Sequence, residues 1–370
     1  MRWYRTFIAA ALGILCATAA PQFAVGSPAF IVIDADAGTV LNQNQSDDIW
    51  YPASVTKVMT AYVTFKALKA GRLTLTSPVT VSTNALAQAP SKMGFKVGTV
   101  MNVDNALKMM LVKSANDIAV AVAETVGGSE SGFVTMMNAE AKRLGMNSTH
   151  YDNPNGLPDD SHVTTVRDQA ILARAIWSDF PEYRSYFGIP AIKAGKRILR
   201  SQNALLERYR GTMGMKTGFI CASGYNMIAA ATRSGRTMMA VVFGASSSTQ
   251  RNETAAHLLD QGFGTWFGTN KPDLDTFHAG RTSMTPANLH DVVCGKRVKQ
   301  EDDGDSADTS TKSSLGPRFA LMDPVPVYTG RVGSDASATA IFPGSKMPLP
   351  RLRPKYAGAD IQKLIQVDTQ

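Results

Sequence analysis

Apolar residues along the chain change their spacing several times, and each change predicts a change of element. Residues 30–34 (FIVID) and 39–41 are short apolar runs on either side of the turn-like DAG at 36–38, the pattern of a β-hairpin. From Ser54 the spacing lengthens: Val55, Val58, Met59, Tyr62, Phe65 and Leu68 recur at three and four positions and stop at Gly71. That predicts a buried amphipathic helix ended by a glycine. Residues 101–180 keep helical spacing in runs rich in Ala, Met and Leu, so they read as a helical subdomain inserted into a sheet domain. Strand patterns return at 213–220, 225–232 and 237–243, the last two joined by the turn RSGR, and a helix follows over 252–267. The expected fold is α/β of the α+β kind: an antiparallel sheet covered by helices, an inserted all-helical subdomain, and a cleft between the two.

The two ends read differently. Arg2 and Arg5 precede an apolar run from Phe7 to about Ala20 followed by small residues, so residues 1–26 read as a secretory signal, too short for a membrane span. Residues 27–268 form the folded domain. Residues 269–316 read as a linker, because 296–314 is a polar, charge-mixed run without aromatics, expected to be disordered. Residues 317–370 form a poorly structured C-terminal extension, rich in proline and ending in a helical signal too short for a strong membrane anchor.

Composition narrows the function classes. The 370 residues are 44% hydrophobic and 18% charged, enough for one large core. The formal charge of +8 is dispersed without a basic stripe, which argues against nucleic acid. Five scattered histidines and the absence of CxxC or HxxxH spacing imply no metal and no cofactor. Beyond the signal only Cys221 and Cys294 remain, too few for a disulfide framework, although an exported chain could join them.

Candidate chemistry begins in YPASVTKVMT, residues 51–60. Ser54 and Lys57 are three positions apart at the start of the predicted helix, on one face and one turn apart. A serine is a weak nucleophile until a base takes its proton, and both the helix dipole and burial favour a neutral lysine there. SxxK alone arises by chance about once in a chain of this length. Two further motifs change the weight. SAN, with Ser114 and Asn116, puts polar side chains into an apolar helical run. KTG, with Lys216, Thr217 and Gly218, lies near a strand end, where it offers a positive charge, a hydroxyl and close backbone approach.

In this order the motifs resemble those of the serine penicillin-recognising enzymes, and within them the low-molecular-mass D-alanyl-D-alanine carboxypeptidases. YPASVTKVMTAYV, LVKSAND, NPNGLPDD and MKTGFICASGYNMIAAA extend the resemblance over residues 29–267. It implies a β-lactamase/transpeptidase-like fold and a penicillin-sensitive serine peptidase that removes the terminal D-alanine from peptidoglycan stem peptides ending in D-Ala-D-Ala. In that reading Ser54 is the nucleophile and Lys57 takes its proton. Ser114 relays a proton to the leaving D-alanine with help from Lys216, and Asn116 holds the peptide backbone. The N–H groups of Ser54 and Phe219 form the oxyanion hole, Gly218 lets the substrate approach the strand, and Thr217 and Arg251 bind the terminal carboxylate. β-Lactam antibiotics would be covalent inhibitors. The resemblance places the enzyme in the periplasm or on the outer face of the cytoplasmic membrane, with membrane association left open. Phe219 stands where a histidine often follows KTG, and no alternating strands or long anchor follow residue 269.

Other readings share these motifs. A class A β-lactamase needs an ExxLN stretch, which does not occur between Asn116 and Lys216. An endopeptidase or transpeptidase would differ in cleft shape alone, and an inactive peptidoglycan binder would have no need of Lys57 beside Ser54.

Overall fold

The computed structural model describes residues 27–265, 271–283, 285–295, 314–319 and 322–331. The expected signal and the charged run at 296–313 lie outside the described residues. In chain order the elements are β1 (Ala29–Asp34), β2 (Thr39–Asn44), a 3-10 turn (Ala53–Thr56), α1 (Lys57–Lys69), β3 (Pro78–Thr80), α2 (Thr83–Ala87), β4 (Thr99–Asn102), α3 (Val103–Val112), α4 (Asn116–Gly127), α5 (Glu130–Arg143) and α6 (Val166–Asp179). There follow β5 (Ala191–Ala194), β6 (Arg197–Arg200), α7 (Leu205–Arg208), β7 (Thr212–Ile220), β8 (Gly224–Arg233), β9 (Arg236–Ala245), α8 (Ser248–Gly264), α9 (His290–Val293), β10 (Val325–Val327) and β11 (Gly330–Arg331).

The main sheet is antiparallel, in the order β2-β1-β9-β8-β7. Its first hairpin is set by Asp34, whose carboxylate accepts the N–H groups of Asp36 and Ala37 at 3.1 and 3.0 Å. Helix α8 covers one face through Val32, Met227, Met238, Ala255 and Leu259, with alanines at 229, 231 and 240 letting it approach closely. The other face joins a larger core shared with α1, α3, α4 and α6. β7 is an edge strand, which leaves one side of its backbone for the cleft.

The expected amphipathic helix after Ser54 is more deeply placed than its pattern implied. All residues of α1 are buried except Lys66 and Lys69, because the helical subdomain packs around it. Ser54 itself lies on the preceding 3-10 turn.

Residues 271–283 and 285–295, expected as the start of a linker, lie instead across the domain as a strap. The guanidinium of Arg167 donates to the carbonyls of Leu274, Asp275 and Phe277. The carboxylate of Asp47 accepts Gly280 N–H at 3.0 Å, and that of Asp48 accepts Thr282 N–H at 2.6 Å together with the Thr282 hydroxyl. Leu289 N–H then reaches the carbonyl of Ala222 at 2.8 Å, and Cys294 is disulfide-bonded to Cys221. Such a segment shows no apolar period, since its order comes from buried charged side chains far away in sequence. Beyond it, β10 pairs parallel with β5 and β11 antiparallel with β4, so part of the expected extension adds to two small sheets. Among the described residues no helix is long and apolar enough to cross a membrane.

Candidate active site

The 3-10 turn carrying Ser54 is wedged between two glycines. A Cβ on Gly218 of β7 would lie 2.9 Å from the Pro52 carbonyl and 3.1 Å from Ser54 N. On another side, a Cβ on Gly156 would lie 1.9 Å from the Ala53 carbonyl oxygen. Backbone therefore meets backbone around the serine, which only glycine permits. Asn226 fixes the approach to the turn by donating to the Tyr51 carbonyl at 2.9 Å while its own oxygen accepts Gly244 N–H. Ala53 has a φ of 49°, a strained conformation of the kind that clusters at functional sites.

Lys57 begins α1 and is fully buried. Its Nζ lies 2.9 Å from Ser54 Oγ, 2.7 Å from Asn116 Oδ1 and 2.6 Å from the Asn155 carbonyl oxygen. Burial, reinforced by the positive charge of Lys216 and opposed by Asp117, holds this amine well below its usual range. A neutral amine has two N–H bonds and one lone pair. The Asn116 and Asn155 oxygens take the two hydrogens, so the lone pair is left for the hydroxyl of Ser54. The geometry is that of a base poised on its nucleophile.

Ser114 and Ala115 of SAN lie between α3 and α4, and Asn116 opens α4. Ser114 has a φ of 63° and a buried Oγ without a hydrogen-bond partner among the described residues, an arrangement that costs stability unless a ligand or reacting proton uses it. Asn116 is held on both sides: its N–H donates to the Ser91 carbonyl at 2.7 Å and its amide nitrogen to the Ala89 carbonyl at 2.9 Å. Asp117 anchors the same loop by accepting the N–H groups of Met93 and Gly94.

On β7, Lys216 Nζ donates to the Thr217 carbonyl at 2.8 Å. Burial first, and the nearby Arg251 second, pull its amine down to about 7. Thr217 and Phe219 pair with Met227 and Tyr225 of β8, so they lie on the face toward α8. There the Phe219 and Tyr225 rings are 4.4 Å apart, and the Arg251 guanidinium lies 5.9 Å from the Tyr225 ring centre. Arg251 also donates to Asn252 Oδ1 and to the Gln202 carbonyl. The structure thus brings Ser54, Lys57 and Asn116 into direct contact and sets Gly218 against the same turn. Arg251, close enough to depress the Lys216 amine, lies on the α8 side of the edge strand.

With this geometry established, comparison with known proteins decides the family. Residues 16–247 match the D-alanyl-D-alanine carboxypeptidase peptidase family, more than half of the chain. The chain belongs to this family. The D-alanyl-D-alanine carboxypeptidase DacC of Escherichia coli is 35% identical over 246 residues, covering 65% of this chain and 62% of that protein. The chain spans about three fifths of the length of the curated relatives it matches. The crystal structure of penicillin-binding protein 5 from Haemophilus influenzae superposes with a TM-score of 0.62 at 32% identity, over 64% of this chain and 71% of that one. Penicillin-binding protein D2 of Listeria monocytogenes, solved in its cefotaxime-bound form, gives 0.59 at 28% identity, over 66% and 100%. The antiparallel sheet and its inserted helices are the fold of these penicillin-binding proteins.

Several residues of this D-alanyl-D-alanine carboxypeptidase family site escaped the sequence reading. NPNGLPDD carried no assigned role, yet Asn155 supplies the third partner of Lys57, and Gly156 packs on Ala53. The NPNG turn chemistry was the available signal: Asn153 Oδ1 accepts the N–H of Gly156 at 2.7 Å. His162, one of the five scattered histidines, is a buried packing residue with a fixed tautomer. Its Nδ1 accepts Asp152 N–H at 3.0 Å, so its Nε2–H faces Thr56 Oγ1 at 2.8 Å on the turn that carries Ser54. Burial pulls that imidazole down to about 4 against the pull of Asp152 and Asp159.

The buried lysines oppose stability, and this is measurable. Folded Lys216, with its amine at about 7, binds fewer protons than the unfolded chain, where the ordinary value is 10.5; wild-type stability therefore rises with pH between those limits. Lys216→Met is expected to raise the unfolding free energy by about 1–4 kcal/mol at pH 6 while abolishing activity, because a buried charge gives way to packed apolar volume. The advantage is full below pH 7 and fades toward 10.5. Urea unfolding at pH 6 and pH 9.5 checks it, and a variant less stable than wild type at both would refute the sign.

Proposed function

We propose that this protein is a serine-type D-Ala-D-Ala carboxypeptidase acting on peptidoglycan stem peptides outside the cytoplasmic membrane, and that β-lactams inhibit it by acylating Ser54. The observation that carries the reading is the contact of Lys57 Nζ with Ser54 Oγ, with the other two amine partners already filled by Asn116 and Asn155. Ser54 Oγ attacks the carbonyl of the penultimate D-alanine as its proton passes to Lys57 Nζ. The negative oxygen so formed is met by the N–H groups of Ser54 and Phe219, a pairing favoured by the backbone contact at Gly218. The hydroxyl of Ser114, without a partner among the described residues, passes its proton to the leaving amine and takes up the one that Lys57 Nζ received from Ser54, with the ammonium form of Lys216 favouring that transfer, and the peptide C–N bond breaks. Asn116 orients the peptide. Thr217 and Arg251 bind the terminal carboxylate, which also benefits from Lys216. Water hydrolyses the ester, releasing the shortened stem and restoring Ser54.

Export is part of this proposal. The leader-like residues 1–26 support it, as does the Cys221–Cys294 disulfide, which persists in an oxidising compartment. The test is release of D-alanine from diacetyl-Lys-D-Ala-D-Ala by the mature protein and by Ser54→Ala. The expected result is release by the wild type and none by the variant. A folded wild type that releases none would overturn the assignment.

A further inference from the structure

The strap joins two segments that flank the candidate site. It is tied at one end to Asp47 and Asp48, seven and six residues before Ser54, and at the other to the turn that follows KTG. At that turn Leu289 N–H bonds the Ala222 carbonyl, the Leu289 side chain lies 3.1 Å from where a Cβ of Gly224 would stand, and Cys294 is bonded to Cys221. Cys221 lies two residues beyond Phe219.

The direction of the substrate gives this placement its meaning, and the argument rests on the reading proposed above. If the scissile carbonyl sits at Phe219 N–H and the terminal carboxylate at Thr217, the residues preceding D-Ala-D-Ala continue along the free edge of β7 past Phe219 toward Cys221. That path ends at the disulfide and α9. There His290 and Asp291 are exposed, and Val292 is an exposed apolar side chain at 38%. We infer that the disulfide-tethered segment Leu289–Cys294 is the outer wall of the subsite for the stem-peptide residue that precedes D-Ala-D-Ala, and that it sets selectivity for that residue without touching the reacting atoms. A segment of this kind alters binding of the acyl-donor side while leaving Ser54 and Lys57 in place.

The experiment compares the full-length oxidised protein, the same protein after mild reduction, and Cys221→Ser/Cys294→Ser. Two probes are used. Diacetyl-Lys-D-Ala-D-Ala carries the preceding residue, whereas 6-aminopenicillanic acid lacks an acyl side chain and so reports the integrity of the nucleophile alone. Opening the disulfide is expected to lower kcat/KM for the peptide about tenfold, chiefly through KM, while acylation by 6-aminopenicillanic acid changes by less than about twofold. The reduced wild type keeps the test informative if the double variant folds poorly, and reoxidation should restore the original KM. A parallel fall with both probes would mean that the strap only holds the fold, and no change with either would mean that it does not reach the substrate; each overturns the inference. A wild type inert to both probes would defeat the proposed function itself, and this inference with it.

Discussion

Lys57→Arg is expected to slow acylation of Ser54 by a labelled penicillin about 10⁴-fold, the scale on which removal of a general base acts on its nucleophile. Arginine keeps the positive charge and can still donate to the Asn116 and Asn155 oxygens, but a guanidinium does not lose its proton in proteins and has no lone pair for Ser54. The variant therefore separates charge from basicity. In the wild type the amine is held low by burial and by Lys216, so a fraction of it is neutral and ready to accept the proton at ordinary pH. Acylation should rise with pH as Lys57 loses its proton. For peptide hydrolysis, kcat/KM should fall again above about 7 as the free enzyme's Lys216 becomes neutral and stops assisting Ser114 and the substrate carboxylate. The arginine variant should lose the rising limb altogether. A Lys57→Arg protein that acylates within tenfold of wild type would remove Lys57 from the role of base.

Gly156→Ala should slow acylation about a hundredfold without altering any chemical group. The added methyl would lie 1.9 Å from the Ala53 carbonyl oxygen and 3.0 Å from Ser54 N, and the residue sits at a φ of +84°. Backbone strain and the clash together should cost about 3 kcal/mol or more of stability, since neither contact is the flexible end of a side chain. The relief available is displacement of the turn carrying Ser54, and a shift of about 1 Å there is worth about a hundredfold in rate. Gly145→Ala is the matched control. It has a φ of +79° with nothing within 4 Å of the added carbon, so it should lose about 1–2 kcal/mol and no activity. Thermal unfolding and acylation rates of both variants decide the matter: equal behaviour of the two would show that the contact between Gly156 and the nucleophile turn has no catalytic consequence.

Local chemistry was legible in the sequence. Ser54 and Lys57 are three residues apart on one turn, so their proximity follows from backbone geometry alone. The strands β7 to β9 and the hairpin of β1 and β2 were readable for the same reason, because residue alternation and turn chemistry act over a few positions. KTG and SAN were recognisable as motifs. What they do to one another was not, because the amine of Lys57 is depressed by burial and by a second lysine 159 positions away in the chain.

The tertiary structure decided everything that depends on contacts between distant segments. The third partner of Lys57 is a backbone carbonyl 98 residues on, and a carbonyl is the same whatever residue bears it, so composition carries no trace of it. Pairing of Cys221 with Cys294 across 73 residues is equally invisible to spacing. The strap looked like linker because its anchors, Arg167, Asp47 and Asp48, are charged residues that look solvated in sequence and are buried in the fold. Sequence thus determined which candidate groups stand side by side, since that is a matter of side-chain identity and short-range geometry. The fold determined their protonation, their strain and the shape of the cleft around the substrate, because burial and long-range backbone contact exist only once the chain has closed on itself.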